Sequence, residues 1–181
     1  MQPQKRDLAL FIIKKKFSHY FSKDELHAMN FWFMDALDHS PESNWENLTT
    51  FWLESLLNHK PIQYVFNRAF FGTLDLYVNE NTLIPRPETE ELCQLILDHP
   101  RNQSTTKHQV LDIGTGSGCI PIWLKYNRKE WQISAIDISK EALSVAQKNA
   151  EKYKTQIDLQ QIDILTLDRV KEDYSIIISN H

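Results

Sequence analysis

Val110-Leu111-Asp112-Ile113-Gly114-Thr115-Gly116-Ser117-Gly118 is the stretch on which the reading of this chain turns. Gln109 to Ile113 is a short apolar run bounded by polar residues, the pattern of a buried strand. It enters a turn with glycine at every second position, and Cys119 to Tyr126 then reads as a helix. The chain contains four glycines in all, Gly72, Gly114, Gly116 and Gly118, so three fall inside five residues. Such a concentration marks a loop that needs left-handed backbone and lets a ligand lie against the main chain. In an open α/β sheet, ligands bind at this end of the strands.

Outward from the loop the pattern alternates. A helix is expected from about Glu88 to Asp98, with Pro87 tolerated in its first turn. Gln132 to Ile136, Ile157 to Ile162 and Tyr174 to Ser179 read as strands, and Lys140 to Lys152 as a helix. Strands alternating with helices imply a parallel, doubly wound sheet. The first 71 residues contain no glycine and read as helical. One helix is expected from about Arg6 to Lys16. A second follows a capping box in which Ser22 faces Glu25, and carries Leu26, Met29, Phe33 and Leu37 on one face. A third spans about Glu42 to Asn58, with Trp45, Leu48, Trp52, Leu56 and Leu57 as buried positions. Between the halves, Gln63 to Phe66 and Phe70 to Val78 are rich in aromatic and β-branched residues and read as a β-hairpin.

Composition excludes several classes. The 181 residues are 41% hydrophobic and 24% charged with a net charge of −4, an ordinary globular balance. Mild acidity argues against bulk nucleic-acid binding. Cys93 and Cys119 do not make a disulfide framework and read as reduced buried thiols. No apolar run approaches membrane-spanning length, and the patch from Leu8 to Ile13 reads as helix, not as a signal peptide. The histidines show no ligand spacing, so no metal is expected.

Glycine spacing separates two kinds of ligand. The dinucleotide fingerprint places its third glycine at the sixth position of the loop, where this chain has Cys119. The D-x-G-x-G of Asp112 to Gly116, followed by Gly118, is instead similar to the first motif of class I methyltransferases. Asp137 follows the next strand about 20 residues on, where a carboxylate can accept hydrogen bonds from both hydroxyls of a ribose. The competing reading for Asp137 is an acid that favours the start of the following helix.

Further segments resemble one family. Pro61-Ile62-Gln63-Tyr64-Val65 with Phe70-Phe71-Gly72, and Leu83-Ile84-Pro85-Arg86-Pro87-Glu88-Thr89-Glu90, are similar to the linker and the I-P-R-P-E-T-E segment of release-factor glutamine methyltransferases. With the glycine loop and Ala135-Ile136-Asp137-Ile138-Ser139, the resemblance covers residues 61 to 140 almost without a break. It implies an α/β fold: a helical substrate-recognition bundle over residues 1–60, a β-hairpin linker over 61–85, and the first half of a class I (Rossmann-like) methyltransferase domain over 86–181. It implies S-adenosyl-L-methionine as cofactor, held by Asp112, Gly114, Thr115, Gly116, Ser117, Gly118, Asp137, Ile138, Asp163 and Ile164. It also implies N5-methylation of a release-factor glutamine in the cytoplasm, with the release factor docking partly on residues 1–60. The alternatives are methylation of an amino group on a nucleic-acid base, or a non-catalytic binding fragment.

Two departures bear on that expectation. Asn67 stands where the family usually has glycine; asparagine tolerates left-handed backbone. The family places an N-P-P-Y motif after the fourth strand, and here Asn180 is followed by His181. Asn180 is therefore the one catalytic residue the resemblance supplies, its side chain accepting from the substrate amide. The expectation is a chain truncated within the motif, without methyl transfer on its own, that associates through an exposed sheet edge.

Overall fold

The computed structural model describes residues 23–39, 41, 45–102, 107–167 and 173–180. The helix expected over Arg6 to Lys16, the Ser22 capping box, the Leu26 side chain and His181 lie outside the described residues. The chain divides into two compact units, Met1–Phe66 and Asn67–His181.

In the first unit, α1 (Lys23–Asp38) and α2 (Trp45–Leu57) are followed by a single turn, α3 (Ile62–Val65). Met29, Phe33 and Leu37 recur at helical spacing and are buried, as are Trp45, Trp52, Leu53 and Leu56. Aromatic rings fill the centre: Phe66 lies 5.0 Å from Trp52 and 5.4 Å from Phe33, centroid to centroid. Leu57, expected inside, is exposed.

The strand expected over Gln63 to Phe66 is instead the turn α3. Pro61 fixes the backbone ahead of it, and the Pro61 carbonyl accepts from both Tyr64 N–H and Val65 N–H. Val65 is buried, and Ile62 and Phe66 pack on the same cluster. Spacing of three and four residues is helical, but over so few positions alternation and helical spacing cannot be told apart.

The second unit opens on a hairpin, β1 (Ala69–Phe71) against β2 (Leu74–Leu76). Asn67 has φ 52°, the left-handed conformation expected of it, and its Nδ2 donates to the Val78 carbonyl at 3.1 Å. Gly72 turns the hairpin at φ 53°, where a Cβ would lie 2.5 Å from the Trp123 ring. A side chain there would require the Trp123 ring to move.

Next come α4 (Pro87–Asp98), β3 (Gln109–Ile113), α5 (Cys119–Asn127), β4 (Gln132–Asp137), α6 (Lys140–Lys152), β5 (Asp158–Gln161) and β6 (Ile176–Ser179). The strands form one sheet in the order β5-β4-β3-β6, every pair parallel. β3, which feeds the glycine loop, is thus flanked on both sides. Its register sets Asp112 opposite Ala135 and Ile178. Phe71, Leu74, Leu76, Val110, Ile122, Leu124 and Trp131 are buried in this unit's core. The result is the α/β, Rossmann-like layout with a parallel sheet, and the carboxyl ends of β3, β4 and β6 meet at one edge of it. On β6, Ile178 is buried and Ile177 exposed.

Candidate active site

The loop after β3 is fastened to β4 before it reaches any ligand. Gly114 N–H and Thr115 N–H both donate to the Ile136 carbonyl, at 2.9 and 3.1 Å. Gly116 N–H donates to Asp137 Oδ2 at 2.9 Å. Gly114, Gly116 and Gly118 all have positive φ, 73°, 54° and 78°, so the backbone demands glycine at alternate positions. The glycines differ in what surrounds them. A Cβ on Gly118 would stand 3.1 Å from Ala146 Cβ, because α6 packs closely there. A Cβ on Gly116 would meet nothing within 4 Å. That open space is where a ligand can touch bare backbone.

Asp137 holds two structural bonds at once. Besides Gly116, it accepts from Ser139 N–H through Oδ1 at 2.9 Å. Ser139 in turn caps α6, its Oγ accepting from Ala142 N–H at 3.0 Å. The acid therefore orders both the loop and the helix start. A carboxylate has about four acceptor sites, so two backbone bonds leave room for hydroxyl donors.

Asp112, at the end of β3, is almost wholly buried, and neither of its carboxylate oxygens has a hydrogen-bond partner. Burial is the main cause that pushes its carboxyl up to about 7, with the Asp137 charge adding and the nearby Thr115 hydroxyl opposing. Thr115 Oγ1 is also buried without a hydrogen-bond partner. Orphaned buried acceptors are costly. A cation in the space over the loop would favour the ionised carboxylate through space.

A cleft of about 400 Å³ opens over this loop. Leu83 to Arg86, Glu88 and Thr89 form one wall, Gly114 to Ser117 with Cys119 and Ile120 another, and Asn180 closes it. The I-P-R-P-E-T-E segment, the glycine loop and Asn180 thus converge. Asn180 Nδ2 donates to Thr89 Oγ1 at 2.7 Å. Asp112, Gly118, Asp137, Ile138, Asp163 and Ile164 do not line this cleft. Ile138 is exposed just beyond β4. Asp163 Oδ1 accepts from Leu165 N–H at 3.0 Å, which caps the turn Ile164–Thr166. The Asp137 carbonyl accepts from Ile162 N–H at 3.0 Å, so these residues flank the ends of β4 and β5.

Two residues escaped the sequence reading. Thr89 lies within the I-P-R-P-E-T-E segment, and nothing in that pattern names its partner. Asn149 is fully buried on α6 and bonds the Ser117 carbonyl. Its signal was present: a polar, poor helix former three residues beyond Ala146 on an otherwise apolar stripe. Cys93 and Cys119 are free and buried. No group of three His, Cys, Asp or Glu among the described residues could hold a metal ion. None of the described helices is long and apolar enough to cross a membrane.

A parallel sheet with a glycine loop at the carboxyl end of its central strand, backed by an acid on the next, is the frame of a class I methyltransferase. The chain belongs to the methyltransferase small domain family, whose model matches residues 88–181. A release factor glutamine methyltransferase of Streptococcus pneumoniae is 47% identical over 127 residues, 70% of this chain and 44% of that protein. One of Flavobacterium psychrophilum is 42% identical over 146 residues, 78% of this chain and 51% of that protein. One of Bacillus subtilis is 41% identical over 123 residues. The chain spans about half the length of these relatives.

Proposed function

We propose that the chain forms the cofactor-binding part of an S-adenosylmethionine-dependent enzyme that methylates the side-chain nitrogen of a glutamine in a peptide chain release factor. The observation that carries this reading is the single cleft in which the glycine loop faces Asn180, itself held on Thr89. The similarity to release factor glutamine methyltransferases supports the acceptor.

The residues present fit the cofactor. Gly116 leaves space over bare backbone, Thr115 lines the cleft with an unpartnered hydroxyl, and Asp137 stands at the end of β4 with acceptor capacity to spare. Asp137 is assigned the ribose hydroxyls, Ile138 a face of the adenine, and Asp163 with Ile164 the adenine edge. When bound, S-adenosylmethionine supplies a methyl group on positively charged sulfur.

What remains for the protein is the acceptor. An amide nitrogen is a weak nucleophile because its lone pair is shared with the carbonyl. Glu88 is the one carboxylate among the described residues that line the cleft, and a carboxylate is too weak a base to deprotonate an amide, so the chain's contribution is placement and exclusion of water. With Asn180 Nδ2 committed to Thr89, Oδ1 is left to accept an N–H of the glutamine amide. That bond fixes the direction of the nitrogen lone pair. Leu83, Ile84 and Pro85 give the cleft an apolar wall that sheds water around it.

Calorimetric titration with S-adenosylhomocysteine tests the cofactor, with Asp137→Ala as control. Binding that is lost in the control is expected. The acceptor is tested by titrating the loaded protein with a release factor and with its glutamine-to-alanine variant. Tighter binding of the glutamine form is expected. Preference for an RNA or DNA oligonucleotide would overturn the acceptor assignment.

A further inference from the structure

We propose that Asn149 is a positioning residue for the cofactor loop, a strut that couples its Ser117 corner to the hairpin backbone at Tyr77. The inference rests on the methyltransferase reading of the loop and adds to it a residue that touches neither cofactor nor acceptor.

Asn149 uses its whole side-chain amide. Oδ1 accepts from Tyr77 N–H at 2.7 Å, and Nδ2 donates to the Tyr77 carbonyl at 2.8 Å and to the Ser117 carbonyl at 2.9 Å. Two bonds to one residue imitate a strand partner, so the amide plane is fixed by the hairpin and the third bond is aimed at the loop. The side chain is completely buried. Water cannot replace any of the three bonds without repacking, and an unmade bond here carries a full desolvation cost.

The rest of α6 makes the strut rigid. Ala146, one helical turn earlier on the same face, packs under Gly118. On the hairpin side, Lys148 Nζ sits 3.4 Å from the centroid of the Tyr77 ring, Lys152 pairs with Asp75 at 3.2 Å, and Tyr153 Oη donates to the Asp75 carbonyl at 3.1 Å. The helix start is tied through Ser139 to Asp137, which holds Gly116. α6 therefore holds the loop at Ser117 and Gly118 while Asp137 of β4 holds Gly116, and on the other side α6 and Tyr153 hold Asp75 of the hairpin and the adjoining Tyr77. Asn149 bonds both the loop and Tyr77. Order imposed on the loop by a ligand is passed to Tyr77, which lines no part of the cleft.

The test combines calorimetry with amide hydrogen exchange read by NMR, using S-adenosylhomocysteine as the probe. In the wild-type chain, saturating probe should slow exchange of the Tyr77 amide by about tenfold beyond any change at the Leu124 amide. Leu124, fully buried inside α5, reports global stabilisation. Asn149→Asp keeps the acceptor for Tyr77 N–H and removes both donated bonds. It should bind the probe about tenfold more weakly at a temperature where it remains folded, and Tyr77 should lose its response. A residue with only a structural role would lower the melting temperature and leave the affinity and the Tyr77 response as they were. Either of those two unchanged results in a wild-type chain that binds the probe overturns the strut and leaves the methyltransferase reading standing. If Asn149→Asp does not fold, the wild-type exchange measurement decides alone. A wild-type chain that does not bind the probe overturns the reading of the loop, and the strut with it.

Discussion

Asn180 Nδ2 donates to Thr89 Oγ1 at 2.7 Å, joining the end of β6 to the first turn of α4. Thr89 is buried, and its own N–H donates to the Arg86 carbonyl, so the hydroxyl sits on a fixed piece of backbone. Valine in its place keeps the shape and removes the acceptor. Thr89→Val should leave affinity for S-adenosylhomocysteine within about twofold and weaken capture of the glutamine-bearing acceptor about fivefold to tenfold, the worth of one hydrogen bond. Thr89→Ser should restore it. Calorimetry with each ligand in turn checks both halves, and an unchanged acceptor affinity in Thr89→Val would detach Asn180 from the acceptor.

Gly118 and Gly116 should fail in different ways when changed to alanine. Both have positive φ, which costs a non-glycine residue about 1–2 kcal/mol. Gly118→Ala adds a methyl 3.1 Å from Ala146 Cβ and 3.2 Å from its Cα, so the α6 backbone must give way by a few tenths of an ångström. It should lower the melting temperature by roughly 5–10 °C. Gly116→Ala meets no protein atom, so it should cost about half as much stability. Its methyl stands where the loop faces the cleft, so probe affinity should fall more than about tenfold. Thermal melts and titration on the two variants separate a packing glycine from a contact glycine.

The glycine loop, the flanking strands and the left-handed Asn67 were legible because each depends on local chemistry: a buried strand's apolar run, the missing Cβ, a short polar side chain. The turn at Ile62–Val65 was not. Its identity is set by where Ile62, Val65 and Phe66 bury, and a short segment of β-branched and aromatic residues suits either conformation. Leu57 fits the apolar stripe of α2, yet it falls on the helix's last residue and is exposed. At the site, Thr89 pairs with Asn180 and Asn149 with Tyr77 across long stretches of chain. No residue spacing encodes such pairs, because the sheet order brings them together.

Cys119 lines the cleft beside the glycine loop but should be chemically quiet. Burial is the main cause that pushes its thiol up to about 12, with the Ser117 hydrogen bond opposing, and burial raises Cys93 further still. At pH 8 the thiolate fraction is then smaller than that of a free thiol by about a thousandfold. Iodoacetamide at pH 8 should modify the native chain at least about a hundredfold more slowly than the chain in urea. Mass spectrometry over time checks this. Rapid native modification of Cys119 would show the cleft to be wetter than its packing indicates.

Asp112 should give the unliganded protein a recognisable pH signature. Its carboxyl titrates at about 7 in the folded chain against 3.8 for the ordinary group, so between those values the native state holds a proton that the unfolded state has released. Stability from this group is therefore greatest below about pH 4, falls as pH rises, and levels off above about pH 7. Asp112→Asn removes the titration while keeping the shape. The variant should melt close to wild type at pH 4 and above it at pH 8, the gap opening between those values. The same carboxyl gains from ionising, through space, when a cation lies in the cleft. Affinity for S-adenosylmethionine, whose sulfur is positively charged, should then rise in wild type by up to about fivefold from pH 6 to pH 7 and flatten by pH 8, with proton release during the titration. Asp112→Asn should bind more weakly, with no such slope. Melts and titrations of both proteins at pH 4, 6 and 8 measure this. A variant no more stable than wild type at pH 8 would mean that Asp112 is not held neutral by its burial.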